Sequence, residues 1–393
     1  LCVVSIFGIA SVVRAAAEPL SLTVDDAVEL ALRHNEQLLI SGSEVERFSQ
    51  RVREVRADGL PSVDANLEYA RNWLLPSFVF NDQRFKAGSD NNATGRVMLT
   101  QPLYTGGRVR GSLKAARQEV AASQQQQRSS RQQISAEVEG ALYEHLLAVE
   151  IDEVHRLAAK RARSNLYQVQ ALRRAGQATE YDLTRAEVQV AAAVSDSIAS
   201  DNAEAISVIR LKDVIGLPLE QEIMVDAAFR ETTSLDLTDI SNLIGGALQR
   251  RPESQETAAL QGVREGYIQV ARAAGRPQLE LWAAGQMQFQ NDKLDELTSE
   301  GEWIRSWSTG LDIIVPLFDG RRSNARTAQA RHELHQLELD RKRTQRTIER
   351  EVREAWMVVR EAFQRLRAQE GSVAQARRGL RDAETRYRVG TGT

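Results

Sequence analysis

Leu99-Thr100-Gln101-Pro102-Leu103-Tyr104-Thr105-Gly106-Gly107 is the stretch in which two kinds of backbone meet. Proline lacks an N–H and its ring clashes with a preceding helical turn, so Pro102 cannot lie inside a helix. The glycine pair after it is a turn signal. Beyond the glycines no proline occurs until Pro218, and after the equivalent Pro316 none occurs through Thr393. The eight prolines, at 19, 61, 76, 102, 218, 252, 277 and 316, thus leave two open fields. The first field predicts a helix from about 108 to 175, interrupted in composition by Gly140. At ~1.5 Å per residue, about 65 residues make a rod on the order of 100 Å. Its apolar stripe is thin and alanine-rich (Val109, Leu113, Ala116, Val120), and glutamine and serine dominate 123–133. Such a rod needs neighbouring helices, as in a coiled coil. A turn at Gly176 and a returning helix from Thr179 towards Val214 complete an antiparallel hairpin.

The composition agrees with rods. The chain has 393 residues, 42% hydrophobic and 27% charged, but only 5% aromatic, with a net charge of −3. Length alone predicts two or three domains. So few aromatics argue against two or three dense cores, and the richness in Ala, Gln, Arg and Glu favours long helices. Residues 1–13 are apolar and uncharged, and Arg14 and Ala15-Ala16-Ala17-Glu18 follow. A short apolar run before small residues reads as a secretory leader, 1–17, cleaved after Ala17. It has no Met and no basic start, so the leader is expected to be incomplete. The one cysteine, Cys2, lies in the part to be removed. The mature chain then has neither disulfide nor thiol chemistry. No stretch approaches the roughly twenty apolar residues of a membrane helix. Membrane entry would have to be as a closed β-barrel, which alone satisfies every backbone group without helices.

The chain also repeats itself. A shift of 216 aligns Ala31-Leu32 with Ala247-Leu248, Arg56-Ala57 with Arg272-Ala273, Gly59 with Gly275, and Pro61 with Pro277. A shift of 214 then aligns Pro102-Leu103 with Pro316-Leu317, Gly106 with Gly320, Arg108 with Arg322, and Glu137-Val138 with Glu351-Val352. It ends on Gly176 with Gly390 and Thr179 with Thr393. A shift held without a gap from 102 to 179 implies an element whose length matters. The expected organisation is a first repeat over 18–235, with strands near 62–101 and a hairpin near 108–214. A second repeat, 236–393, stops at its own hairpin tip.

Each repeat opens with an amphipathic helix, in the first copy capped by Thr23 with Asp26 and running towards Arg56. Gly59 and Pro61 stop it. The period then changes to two. Residues 62–69 alternate strictly, and the second copy puts Leu279, Leu281, Ala283, Met287 and Phe289 on one face. Return strands are expected near 95–101 and 307–315, with polar loops near 70–94 and 291–304. Trp73, Trp282, Trp303 and Trp307 fall in these segments, as an interfacial girdle requires. Alternation over about ten residues with aromatics near the ends is the weak signature of an outer-membrane barrel strand, and two ordinary hairpins on a soluble sheet are the alternative reading. Four strands cannot close a barrel, which needs at least about eight, so a barrel forces an oligomer. Its water-lining face would carry Asp64, Asn66, Glu68, Glu280, Gln286, Gln288 and Asp312.

Helix, strand pair, long helix, turn and returning helix, twice over, carry the 99–107 motif and Arg386-Tyr387-Arg388-Val389-Gly390-Thr391-Gly392-Thr393. From about Ser21 onward the chain resembles the TolC-type outer membrane efflux family, the outer membrane factors. The resemblance implies a mainly α fold with β. Long antiparallel coiled-coil hairpins would form an α-barrel, and four strands per protomer a trimeric twelve-stranded β-barrel. It places that barrel in the outer membrane of a Gram-negative bacterium and the helical tunnel in the periplasm. The implied partners are two further copies, outer-membrane lipid, a periplasmic adaptor (membrane fusion) protein, and an inner-membrane pump of RND or ABC type. The implied function is a passive exit duct for efflux or type I secretion, with no cofactor. In the family the tip turns contact the adaptor and carry a valine-glycine pair. Val389-Gly390 keeps that pair, whereas Ala175-Gly176 departs from it; Thr179 and Thr393 complete the two turns. Acidic residues after the turn line the closed end in the family. Asp182, with Tyr181 and Arg185, holds that place here, and Thr179 with Asp182 also reads as a helix cap.

No catalytic constellation stands out. His332-Glu333-Leu334-His335 has histidines three apart in a charge-rich helix, the pattern of a solvated face rather than a metal site. No phosphate-binding glycine loop is present. The run 341–346 is basic, but acids flank it and no stacking aromatics accompany it, which disfavours nucleic acid. The competing reading from another class is a soluble periplasmic coiled-coil adaptor or scaffold.

Overall fold

The structure, a computed structural model, describes residues 20–80, 82–229, 239–293 and 303–388. The expected leader and the second tip turn (Val389, Gly390, Thr393) lie outside the described residues, as does most of the 291–304 loop. In chain order the elements are β1 (Leu20–Leu22), α1 (Val24–His34), α2 (Glu36–Ala57), β2 (Ser62–Arg71), β3 (Ser77–Phe80), β4 (Gln83–Lys86) and β5 (Asn91–Tyr104). Then follow α3 (Arg108–Arg174), α4 (Glu180–Ile215), β6 (Ile223–Val225), α5 (Ile240–Arg250), α6 (Pro252–Ala273), β7 (Gln278–Asn291), β8 (Trp303–Ile314) and α7 (Arg322–Arg388). No described helix is long and apolar enough to cross a membrane.

The two copies have the same helices. A shift of 216 carries α1 onto α5 and α2 onto α6, residue for residue at both ends, and a shift of 214 carries the start of α3 onto the start of α7. α3 and α7 each have 67 residues. The opening helix is broken in both copies, contrary to the single helix expected. Asn35 ends α1 because its side chain competes with the backbone: Oδ1 accepts from the Gln37 N–H at 3.0 Å and Nδ2 donates to Val214 O at 3.0 Å. In the second copy Arg251 breaks the helix because the residue before Pro252 is pushed out of helical geometry.

The chain divides into two compact units. One comprises residues 1–43 and 127–236. In it β1 pairs in parallel with β6, a contact of three residues per strand that hydrophobic periodicity did not predict. Leu22, Ala27, Ala31, Val138, Leu142, Leu211 and Ile215 form its buried core. The rest of α3 and α4 run antiparallel. Across them Arg210 donates to Glu144 at 3.0 Å, His145 meets Ser207 at 2.9 Å, and Ser200 donates to Asp152 at 2.8 Å. Alanine fills the thin seam nearer the tip, with Ala159, Ala162 and Ala186 all buried.

The other unit comprises residues 44–126 and 237–393. Here α6 packs along α7 and against the start of α3. The α3–α6 crossing is close because two glycines meet. A Cβ on Gly266 would lie 2.7 Å from Gly111 O, and one on Gly111 would lie 2.8 Å from Gly266 O. Lys114 and Glu265 pair beside this crossing at 2.6 Å. The unit's sheet is antiparallel in the order β2-β5-β7-β8. β5 and β8 are longer than the return strands expected, and the first polar loop contains a hairpin of its own. In that hairpin β3 pairs with β4 and Phe78 stacks on Phe85 at 5.8 Å.

Candidate functional site

The sheet is built by register. Opposite residues of neighbouring strands share a face, so the pairing sorts every side chain. Asn66 stands opposite Arg96, Arg96 opposite Gln286, and Gln286 opposite Ser306. The next row on the same face is Glu68, Thr94, Gln288 and Ile304, and Asp64 heads the row on the other side. Glu280 faces Asp312. All seven residues expected to line water therefore lie on one face. Arg96, Thr94 and Ser306 join them there, and sequence reading missed these because the alternation in β5 and β8 is weak. Four carboxylates, of Asp64, Glu68, Glu280 and Asp312, share this face with the one guanidinium of Arg96.

The opposite face is mainly apolar, and its charged residues are Arg305, opposite Met287, and Arg71 at the loop end. Val63, Leu67, Val97, Leu99, Leu281, Met287, Trp307 and Leu311 lie on it. Leu67 is 87% and Trp307 89% exposed, a degree of bare apolar surface that water disfavours and lipid does not. Near the loop end one row crosses all four strands as Tyr69, Ala93, Phe289 and Trp303. Phe289 and Trp303 meet at 5.7 Å. Phe289 is fully buried within the chain, and Tyr69, half exposed, and Trp303 are the aromatics of this row that reach its surface. Trp282 departs from the expected girdle: it lies on the polar face opposite Gly310, where a Cβ would come within 2.8 Å of its ring.

The hairpin tip is built by capping. Gly176, with φ of 75°, donates to Arg173 O at 2.9 Å, and Gln177 donates to Leu172 O at 2.8 Å. These two bonds close the Schellman motif that ends α3 just after Ala175, and the left-handed backbone is why glycine stands there. A Cβ on Gly176 would meet nothing within 4 Å, so conformation alone constrains the site. α4 then starts with a reciprocal box. Thr179 donates its N–H and its hydroxyl to Asp182 Oδ2 at 2.9 and 2.6 Å, and the Asp182 N–H donates back to Thr179 Oγ1 at 3.2 Å. Arg173 and Glu180 pair across the turn. The Thr179 hydroxyl, then its N–H, hold the Asp182 carboxyl below its ordinary pKa, and Arg185 adds a smaller pull. Tyr181, Asp182 and Arg185 are all exposed, while Leu183 and Ala186 point into the seam. The cap reading of Asp182 is thus realised in the fold.

His335 lies 3.4 Å from Glu338 on the exposed surface of α7, and no metal-binding group of His, Cys, Asp or Glu forms among the described residues.

The family model described as outer membrane efflux protein matches residues 27–217 and 243–393. Protein CyaE of Bordetella pertussis is 25% identical over 328 residues, which are 81% of this chain and 65% of CyaE. The pyoverdine export outer membrane protein OpmQ of Pseudomonas putida is 25% identical over 376 residues, 94% of this chain and 77% of OpmQ. Among solved structures, the outer membrane protein VceC of Vibrio cholerae has the same fold, with a TM-score of 0.77 at 17% identity over 94% of this chain and 87% of VceC. The chain thus spans 65% of the length of CyaE and more of the other two.

Proposed function

Because this chain belongs to the outer membrane efflux protein family, whose members are outer-membrane channels and not enzymes, we propose that it forms a passive exit duct for efflux or type I secretion. Three copies would each contribute the four-stranded sheet to one twelve-stranded barrel, with β2 of one copy pairing β8 of the next. The helix hairpins would extend the duct through the periplasm. The observation that carries this reading is the sorting of the sheet into a polar face and a bare apolar face with an aromatic row at its loop end. A barrel needs both faces, one for water and one for lipid.

Residues 1–17 would be the export leader, and 18–235 and 236–393 the two repeats. Ala175, Gly176 and Thr179, with Val389, Gly390 and Thr393, would contact a periplasmic adaptor that links the duct to an inner-membrane pump. Tyr181, Asp182 and Arg185 would hold the closed end. Asp182 is already bonded as a helix cap, so the two roles need separating. Asp182→Ala removes the carboxylate and its half of the cap, whereas Thr179→Ala removes the hydroxyl half of the cap and keeps the carboxylate. A gate requires that only the first raise closed-state conductance in planar bilayers; an equal rise in both assigns the effect to the cap.

The duct itself is tested in the same bilayers. Four carboxylates against one guanidinium on the polar face give a lumen that prefers cations. The double change Glu280→Gln, Asp312→Asn should lower that preference. Absence of conductance from the complete protein, or anion preference, refutes the reading.

A further inference from the structure

The strand that leads into α3 does not end in register. Pro102 pairs with Glu280, but Tyr104, not Leu103, pairs with Leu279. Leu103 is the extra residue of a bulge, and a bulge re-aims the side chains that follow it. The slip carries Tyr104 onto the apolar face beside Leu279, which pairs in turn with Ile313. Just beyond lies a cleft of about 560 Å³, whose wall includes Tyr104, Arg110, Gln269, Arg272 and Arg276. Arg276 donates to Gly106 O at 3.3 Å. Arg110 and Arg272 form no ion pair among the described residues. Neighbouring cations are neutralised instead: Arg108 lies 3.6 Å from Asp58, and Lys114 pairs with Glu265.

Three guanidinium groups around one cleft repel one another until an anion joins them. Their planar forks match the oxygens of a phosphate or a carboxylate in bidentate fashion. The second property of the cleft is its rim. Leu103 and Tyr104 are 52% and 48% exposed, and they continue the apolar face of the sheet. Tyrosine at such a border keeps its ring in lipid and its hydroxyl in water. A free phosphate would use the arginines and leave the rim bare; an anion with an apolar tail uses both.

We propose that this cleft binds the phosphate of a phospholipid in the membrane leaflet nearest the helices, with Arg110, Arg272 and Arg276 gripping the headgroup and Tyr104 lying along the acyl chain. The proposal rests on the channel reading above. The duplicated junction sharpens it. Leu317 and Phe318, at 93% and 84% exposed, repeat the apolar step there. Under the two shifts, however, Asn324 and Leu60 stand where Arg110 and Arg276 stand, and only Arg56 matches Arg272. One headgroup site per chain is expected, at the first junction.

The test uses the full chain, purified in detergent and titrated with phosphatidylglycerol, with bound lipid counted by native mass spectrometry. The wild type should retain one phosphatidylglycerol per chain. The triple variant Arg110→Gln, Arg272→Gln, Arg276→Gln should bind it about tenfold or more weakly, with unchanged circular dichroism. Arg322→Gln, at the second junction, should leave retention as in the wild type. Retention by the triple variant at the wild-type level overturns the proposal. So does displacement of the lipid by inorganic phosphate at equal concentration, which would make this a free-anion site. Fractionation of wild-type cells keeps the two readings apart: a chain absent from the outer membrane sinks the channel reading, whereas a chain present there with undiminished lipid retention in the variant sinks only the headgroup site.

Discussion

Substituting alanine at two helix-interior glycines should change stability in opposite directions. Gly266 of α6 faces Gly111 of α3 where the two helices cross. A Cβ there would lie 2.7 Å from Gly111 O, 2.8 Å from Ala115 N and 2.9 Å from Ala115 Cβ. None of these is the far end of a flexible side chain, so the helices themselves must part. Overpacking of this kind costs about 1–3 kcal/mol. Gly140, within α3, has nothing within 4 Å of its Cβ position. In both helices alanine is intrinsically better than glycine by about 0.8–1.0 kcal/mol. Gly140→Ala should therefore stabilise by about 1 kcal/mol. Gly266→Ala should destabilise by up to ~2 kcal/mol after the propensity gain is set against the clash. Because the propensity gain is common to both, the difference between the variants isolates the contact. Native-state hydrogen exchange is the suitable assay, since a chain with two compact units need not unfold in one step. Protection should fall for amides around 262–270 in the first variant and rise around 136–144 in the second. Equal or greater protection in Gly266→Ala would refute the claim that glycine is there for close approach.

Thr179→Ala should cost about 1 kcal/mol of local stability, because the hydroxyl accepts from the Asp182 N–H and donates to the Asp182 carboxylate. Exchange in the first turn of α4 should quicken, and Thr179→Ser should restore it. His145 predicts a pH dependence. Burial between α3 and α4 holds its pKa below the ordinary value, against a weaker upward pull from the Glu204 carboxylate. The opened state then binds the proton more readily than the folded one, so stability is full above an ordinary pKa of about 6.5 and falls as pH drops through the lowered value. His145→Gln should flatten the helical circular dichroism signal between about pH 7 and pH 5 on heating; an unchanged pH profile would show that His145 is not its source. Gly310→Ala should displace the Trp282 ring, which lies 2.8 Å from the added Cβ. In a background where Trp282 is the sole tryptophan, its emission should shift; an identical spectrum would contradict the packing.

The long elements were legible because their signals are long. A proline-free field and a repeat shift each average over many residues, and the starts of α3 and α7 follow just after Gly106 and Gly320. Short-range competition was not legible. Asn35 sits within an apolar period that continues past it, and its power to break the helix depends on a partner at Val214, far along the chain. The β1–β6 pair fails for the same reason, since three residues carry no measurable period. The β3–β4 hairpin did leave a trace in Phe78, Phe80 and Phe85, but the polar residues around them hid it. For the polar face, β2 and β7 could be read by alternation alone. Arg96 could not, because its face is set by pairing with Asn66 and Gln286 rather than by its own neighbours. At the tip the sequence supported both cap and gate for Asp182; the bonds to Thr179 establish the cap, and a cap does not exclude a second role for an exposed carboxylate.

The two repeats show where duplication preserved backbone and where it released side chains. Both long helices start from two consecutive left-handed residues: Gly106 and Gly107 at φ of 65° and 97°, and Gly320 and Arg321 both at φ of 66°. An arginine in that conformation is uncommon and costs on the order of 1 kcal/mol, so the turn is kept despite its residue rather than because of it. What surrounds the turn has diverged. A Cβ on Gly106 would press to 2.8 Å from Ala273 O and 3.0 Å from Arg276 Cβ, whereas one on Gly320 would meet nothing within 4 Å. The first junction is therefore closed over by the end of α6, and that closure brings Arg272 and Arg276 to the cleft beside Arg110. The second junction carries the same turn and the same exposed apolar pair, without the closure. The shift of 214 held without a gap from 102 to 179 places a limit on what could change, since an insertion in one copy would lengthen its long helix against the other. Divergence was free at the junctions, and differences in ligand binding between the repeats should be sought there before the helices.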